Sequence, residues 1–241
     1  MKVFKKTGIV VSLISLTYLL TMLIVLYVNY QTNTEVTVQL AGHQEVTSSL
    51  LDMTVSAEVI VKGRYTAVPD TVNGIVTTRT VNNSDKTQKS LLNTYRFEIE
   101  EIIKGKTSDK TIYINHHYSD TVYVYEEDGS GRVVGTVEVI NPLFVEPKED
   151  QSVIVFLSST ALEREYEGAT EPFIVGVNDK DELTLYSNGL NEKNTSETFQ
   201  TYRLKEGYRL SIEMPDFNFE DTVTGKCVSD IVTIIKANQL N

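Results

Sequence analysis

The chain has 241 residues, with 33 acidic against 22 basic side chains and a formal net charge of −11. That length provides for one domain of moderate size plus an anchor, and the acidity argues against phosphate backbones and anionic lipid surfaces, so no nucleic-acid partner is expected. Cys227 is the single cysteine, which excludes an intrachain disulfide and leaves the core alone to hold the fold.

The first feature in the chain is an anchor. Lys2, Lys5 and Lys6 precede an uncharged run from Gly8 to Tyr30. As a helix that run is about 35 Å long at roughly 1.5 Å per residue, enough to span a bilayer. Its length exceeds the apolar core of a cleaved signal peptide, and Val28-Asn29-Tyr30-Gln31 offers no small-x-small cleavage site. The expectation is an uncleaved signal anchor over 8–30 with a cytoplasmic stub of 1–7. The lysines lie inside, Tyr27 and Tyr30 at the far interface, and everything after the anchor is extracytoplasmic. Without the three anchor lysines the outer part carries a net charge near −14.

Residues 31–47 are polar and small, and read as a tether. Ser48 or Ser49 opens a short helix through Leu50, Leu51, Met53 and Val55. A strand follows over 57–66, with Val59, Val61 and Tyr65 on one face. Gly63 lies inside it, where a glycine marks a bend or a close approach. Residues 67–93 hold Pro69, Gly74 and a threonine cluster, and read as a long loop with a short strand near 74–80.

The stretch from Tyr95 to Tyr118 reads as strand, turn, strand. Tyr95, Phe97 and Ile99 alternate with Arg96, Glu98 and Glu100, and Ile112 and Ile114 alternate with Tyr113 and Asn115. Lys104-Gly105-Lys106 reverses the chain, with Gly105 free to take positive φ. A second hairpin joins 121–125 to 131–140. Val153–Leu157 is apolar throughout, as a strand covered on both faces would be. A third hairpin joins 173–177 to 182–186 about Asn178-Asp179-Lys180-Asp181. Near the end Val228, Ile231, Ile234 and Ile235 recur at helical spacing, which predicts a helix over 222–238 capped by Asp221 or Thr222.

The order of EVIVKGRY, YRFEIEEIIKGK, KTIYINHH and QSVIVFLSS resembles the netrin/TIMP-like β-barrel of the OB type. It is most similar to membrane-anchored versions on Gram-positive bacteria, which lend a fold and a location but no established activity. The resemblance covers Ser48 to Val177. It implies an OB-like β-barrel outside the membrane; with the N-terminal transmembrane helix and the last helix read above, the expectation is a mainly β (α+β) chain whose C-terminal helix packs on the barrel, with 48–241 as one extracytoplasmic domain. In the animal members an N-terminal cysteine pair wedges into a protease site. This chain has no cysteine there, so protease inhibition does not carry over.

Few residues suggest chemistry. His116 and His117 are neighbours on a strand and point to opposite faces, so both reach one metal only across a bulge. The third histidine, His43, lies in the tether, and zinc would need Glu126 or Asp128 to complete a site. Glu126–Gly131 lacks the ligand spacing of a calcium loop and reads as a solvated turn; Asn178–Glu182 reads the same way, though its spacing leaves weak calcium binding more open. Glu98, Glu100 and Glu101 are the carboxylates to weigh for catalysis, and alternation puts Glu98 and Glu100 on the solvated face, where acid catalysis gains nothing. Cys227 reads as a buried thiol on the apolar face of the last helix. No metal, cofactor or catalytic group is assigned. Tyr113, Tyr118, Tyr123 and Tyr125 cluster around the middle strands and form the candidate binding face, since tyrosine combines a large ring with a polar tip. The sequence therefore points to a non-enzymatic binding module with an envelope protein or cell-wall ligand as partner. The alternatives are an envelope enzyme using His116 or His117, and an envelope stress or immunity protein.

Overall fold

A computed structural model describes residues 18–24, 35–39, 46–66, 77–82, 88–107, 109–126, 130–187, 199–204, 208–213 and 221–238. These residues are mainly β. In chain order the elements are β1 (Glu35–Gln39), α1 (Leu50–Ser56), β2 (Val59–Tyr65), β3 (Thr77–Asn82), β4 (Gln88–Lys104), β5 (Thr111–Tyr125), β6 (Val133–Ile140), β7 (Val153–Ser159), β8 (Glu165–Gly168), β9 (Ile174–Val177), β10 (Leu183–Leu185), β11 (Phe199–Arg203), β12 (Arg209–Glu213) and α2 (Val228–Asn238). Most of the expected anchor lies outside the described residues. Within it, 18–24 is helical, and no described helix is long and apolar enough to cross a membrane.

The described residues fall into two compact units. One draws on Met1–Leu40, Tyr123–Thr136 and Thr198–Met214, the other on Ala41–Val122, Val137–Glu197 and Pro215–Asn241. The smaller unit is built on a sheet of order β1-β12-β11, with β1 parallel and β11 antiparallel to β12. Leu210 and Ile212 alternate inward from β12 and are fully buried. The segment expected as a tether thus contributes a strand, Glu35–Gln39, to this sheet. Its partner lies about 170 residues away in sequence, beyond the reach of any local pattern.

In the larger unit the main sheet runs β10-β9-β7-β2-β4-β5-β6, with β3 on β4 and β8 bonded to both β5 and β7. The β5–β8 pair is parallel and the β7–β8 pair antiparallel. The hydrogen bonds therefore return on themselves around β2, β4, β5, β8 and β7. With β3, β6, β9 and β10 outside that circuit, the sheet as a whole is not a plain barrel.

The alternation in the sequence accounts for the core. Tyr95 and Phe97 of β4, Ile112 and Ile114 of β5, and Tyr65 of β2 are sealed, while Glu98 and Arg64 face solvent. Residues 153–157 of β7 are buried without a break. Gly63 is where β4 crosses closest. A Cβ there would collide with the Glu98 carbonyl oxygen and come within 2.7 Å of a Phe97 ring carbon. Gly105 takes φ +80° in the turn between β4 and β5.

The expected long loop over 67–93 is corrected in part. Thr77–Asn82 pairs with Lys89–Thr94 as an antiparallel ladder, so β4 begins well before the alternating stretch. These residues are polar and threonine-rich, and their pairing depends on continuing a ladder already fixed by Tyr95 and Phe97.

Helix α1 starts at its expected cap: the Asp52 amide donates to Ser49 Oγ at 3.3 Å. Its last turn is closed by Lys104, whose Nζ donates to the carbonyls of Thr54 (2.8 Å), Val55 (3.2 Å) and Ala57 (2.5 Å). A cation on orphan carbonyls at a helix C-terminus is favourable twice over, through the dipole and through the hydrogen bonds. Lys104→Met is expected to cost about 1.5 kcal/mol in a denaturant melt. An unchanged midpoint would show that the clamp contributes nothing.

Helix α2 starts later than expected, at Val228 rather than 222. Asp221 uses its carboxylate on the amides of Val223 (2.9 Å) and Thr224 (3.0 Å), which makes a separate turn. The helix itself is opened by Asp230, whose Oδ2 accepts the Cys227 amide at 2.8 Å. Ile231 is fully buried, and Ile234 and Ile235 pack at the edge of the core. Cys227 accordingly sits half-buried at the start of the helix, not on its apolar face.

Candidate functional site

The site grows out of β5. Ile112 and Ile114 point into the core, and strand alternation sends His116 the same way. The imidazole is 2% exposed and boxed by rings: Tyr95 at 4.7 Å, Phe173 at 4.9 Å, Tyr65 at 5.5 Å and Phe144 at 6.3 Å between centroids. Its Nε2 shares a hydrogen bond of 2.9 Å with the Tyr65 hydroxyl. Burial lowers its pKa to about 3. The ring is therefore neutral at physiological pH and serves as a polar core residue.

The strand then bulges. Leu92 pairs with His117 and Leu91 with Ser119, so Tyr118 is the extra residue. The irregularity lets His117 Nε2 approach Asp120 Oδ1 at 3.1 Å, and Ser90 Oγ donates to the same oxygen at 2.6 Å. Serine, aspartate and histidine thus meet, but with the carboxylate in the middle. A nucleophilic triad needs the histidine between the other two so that it can take the serine proton. The cluster instead satisfies a buried carboxylate next to a bulge. Among the described residues no three His, Cys, Asp or Glu side chains are gathered as a metal would require.

Beside His116 a small cleft opens, with Phe144, Phe173, Glu171, His117 and Tyr186 on its walls. Its volume is about 10 Å³, the space of one water-sized group. Two glycines shape it. The Phe173 ring lies directly on Gly168, and the Tyr186 ring lies on Gly176, where a Cβ would overlap it. Gln151 Nε2 donates to the Tyr186 hydroxyl. Glu171 is fixed through its backbone, whose carbonyl accepts the Thr47 amide at 2.9 Å. Glu171 lines the cleft, and burial pushes the pKa of its carboxyl up to about 8. Sequence reasoning missed Glu171 because no pattern surrounds it. The inward turn of His116 was legible in the spacing Ile112, Ile114, His116.

The four tyrosines of the candidate binding face divide between the two units. Tyr113 is half-buried in the larger unit, opposite Arg96 on β4 and Glu165 on β8. Tyr118, the bulge residue, packs edge-on against Phe144 at 5.1 Å. Tyr123 and Tyr125 belong to the smaller unit and are half-buried there. Glu98, Glu100 and Glu101 are exposed or nearly so, and Glu100 pairs with Arg64. Glu126 is engaged by Arg132 and Ser130, while Asp128 lies outside the described residues, as does His43. Asn178 spends its side-chain oxygen on the amides of Lys180 and Glu182, so that loop is self-satisfied.

No protein-family model, no curated protein and no solved structure matches the chain.

Proposed function

We propose that this protein is a membrane-anchored, extracytoplasmic binding module, non-enzymatic, held by a helix over 8–30 and presenting an OB-like barrel to an envelope protein or cell-wall ligand. The observation that carries the reading is the state of His116. Its side chain is sealed among aromatic rings, and burial lowers its pKa, which supports recognition over acid–base chemistry at this site.

The anchor is supported by the uncharged run and its three preceding lysines. It is also supported by the helical stretch 18–24, where Leu19, Leu20, Leu23 and Ile24 are all exposed. Among the described residues nothing covers this apolar stretch, and such a face suits a bilayer. The OB-like reading is supported by the circuit β2-β4-β5-β8-β7 with its single parallel pair. OB-type barrels bind ligands on a sheet face and in the loops beside it. Membership in the netrin/TIMP-like group on bacterial surfaces is part of the same proposal, and rests on the four sequence stretches already quoted.

Affinity capture with the tagged full-length chain from solubilised envelope tests the function. The expected result is a specific partner whose recovery falls several-fold with Tyr113→Ala or Tyr123→Ala. Absence of any partner, together with a hydrolytic turnover that disappears in His117→Ala, would favour the enzyme instead.

A further inference from the structure

The cleft beside His116 has features that the general reading leaves unused. Glu171 lines it, and its carboxyl makes no hydrogen bond or ion pair with any described residue. A carboxyl withdrawn from water without a partner is costly to the fold. No described lysine or arginine stands on the cleft wall to offset it. The wall carries three aromatic side chains, Phe144, Phe173 and Tyr186, beside the His116 ring and among aliphatic residues. His117, Glu171 and Tyr186 are half-buried, so the cleft is open to solvent on their side.

We propose that this cleft receives one primary ammonium group, the tip of a lysine-like side chain on the envelope partner, with Glu171 as its counter-ion and the rings of Phe144, Phe173 and Tyr186 around it. The proposal rests on the binding reading above and supplies its ligand chemistry. Three constraints select the group. An aromatic wall with one carboxylate attracts a cation through both the ring quadrupoles and the charge. The space of about 10 Å³ admits an ammonium head but not a planar guanidinium or a trimethylated nitrogen. The acidic outer part of the chain draws cations towards it and repels anions.

Binding is coupled to the proton on Glu171. The other titratable groups on the wall are His116, His117 and Tyr186, and His116 stays neutral. The carboxyl releases its proton when the ammonium enters, so affinity rises as the pH passes through about 8. It falls again only when the amine itself deprotonates, near 10.4.

The test titrates the full-length chain in detergent micelles with Nα-acetyl-lysine methylamide, following chemical-shift changes. Nα-acetyl-norleucine methylamide and tetramethylammonium serve as controls. The expected result is saturable binding of the lysine amide alone, roughly tenfold tighter at pH 9 than at pH 7. Glu171→Gln is expected to weaken it tenfold or more and to remove the pH dependence. Phe144→Leu, which keeps the carboxyl, is expected to weaken it less. Equal binding of the norleucine amide, or unchanged affinity in Glu171→Gln, overturns the proposal. So does envelope capture that is identical for wild type and Glu171→Gln, and that result leaves the binding module intact. Lysine-amide binding without any envelope capture supports the ammonium site and sinks the binding-module reading.

Discussion

Replacing Gly63 by alanine is expected to cost about 3 kcal/mol of stability. Gly63 sits in the central strand β2, paired with Ile99 of β4 on one side and Val153 of β7 on the other. The ladder to β4 shifts register between Lys62 and Gly63, which brings the Glu98 carbonyl over the glycine. A new Cβ meets backbone there, not the far end of a flexible side chain, so the strands must part. Separation at that point disturbs Phe97 and Tyr65, whose rings pack edge-on at 5.0 Å and are both fully buried. Equilibrium urea unfolding of wild type and Gly63→Ala measures the cost. A difference below about 0.5 kcal/mol, the range of an ordinary surface substitution, would mean that the strands do not approach as described.

The pH profile of stability should separate His116 from Glu171. Burial lowers the His116 pKa from 6.5 to about 3. The unfolded chain then binds a proton that the folded chain refuses, so this group's contribution is present above pH 6.5 and is lost as pH falls towards 3. Glu171 acts with the opposite sign. Its folded pKa is raised from 4.5 to about 8, so its contribution is full below pH 4.5 and is lost as pH rises through 8. Between about pH 6.5 and 4.5 the two slopes oppose each other, and wild type should show a plateau. Glu171→Gln removes one slope and is expected to lose about 3 kcal/mol across that interval, two pH units at 1.36 kcal/mol each. His116→Phe removes the other and should gain with acidification, by about 1–2 kcal/mol because the carboxyl is half-exposed to the cleft. That variant starts about 2 kcal/mol lower at pH 7, since the buried Tyr65 hydroxyl loses its partner. Parallel profiles for all three proteins would contradict the burial of both groups.

The parts of the fold that were legible share one property: their pattern is local. Ser49 before Leu50, the alternation through Tyr95 and Phe97, Gly105 in its turn, the unbroken apolar run of β7 and the Asn178 turn each carry their own signal. What was not legible depends on distant pairing. Glu165–Gly168 is short and acidic, yet it closes the circuit between β5 and β7 because both present unpaired edges to it. Glu35–Gln39 finds β12 in parallel, and residues 88–94 extend β4 because β3 and β5 flank them. The candidate site divides the same way. Alternation turns His116 inward, whereas the bulge at Tyr118 interrupts the regular alternation of the tyrosines along β5. Glu171 lines the cleft while its carbonyl accepts the Thr47 amide, a contact between segments more than a hundred residues apart.

The central claim is that the part of the chain beyond the anchor works outside the membrane by holding a partner. Treating intact cells with a membrane-impermeant, amine-reactive cross-linker, and following a tag placed after Asn241, tests both halves at once. The account predicts a discrete higher-mass adduct on intact cells that contains a second envelope component. Modification only after the cells are permeabilised, or modification on intact cells without any adduct, would contradict it.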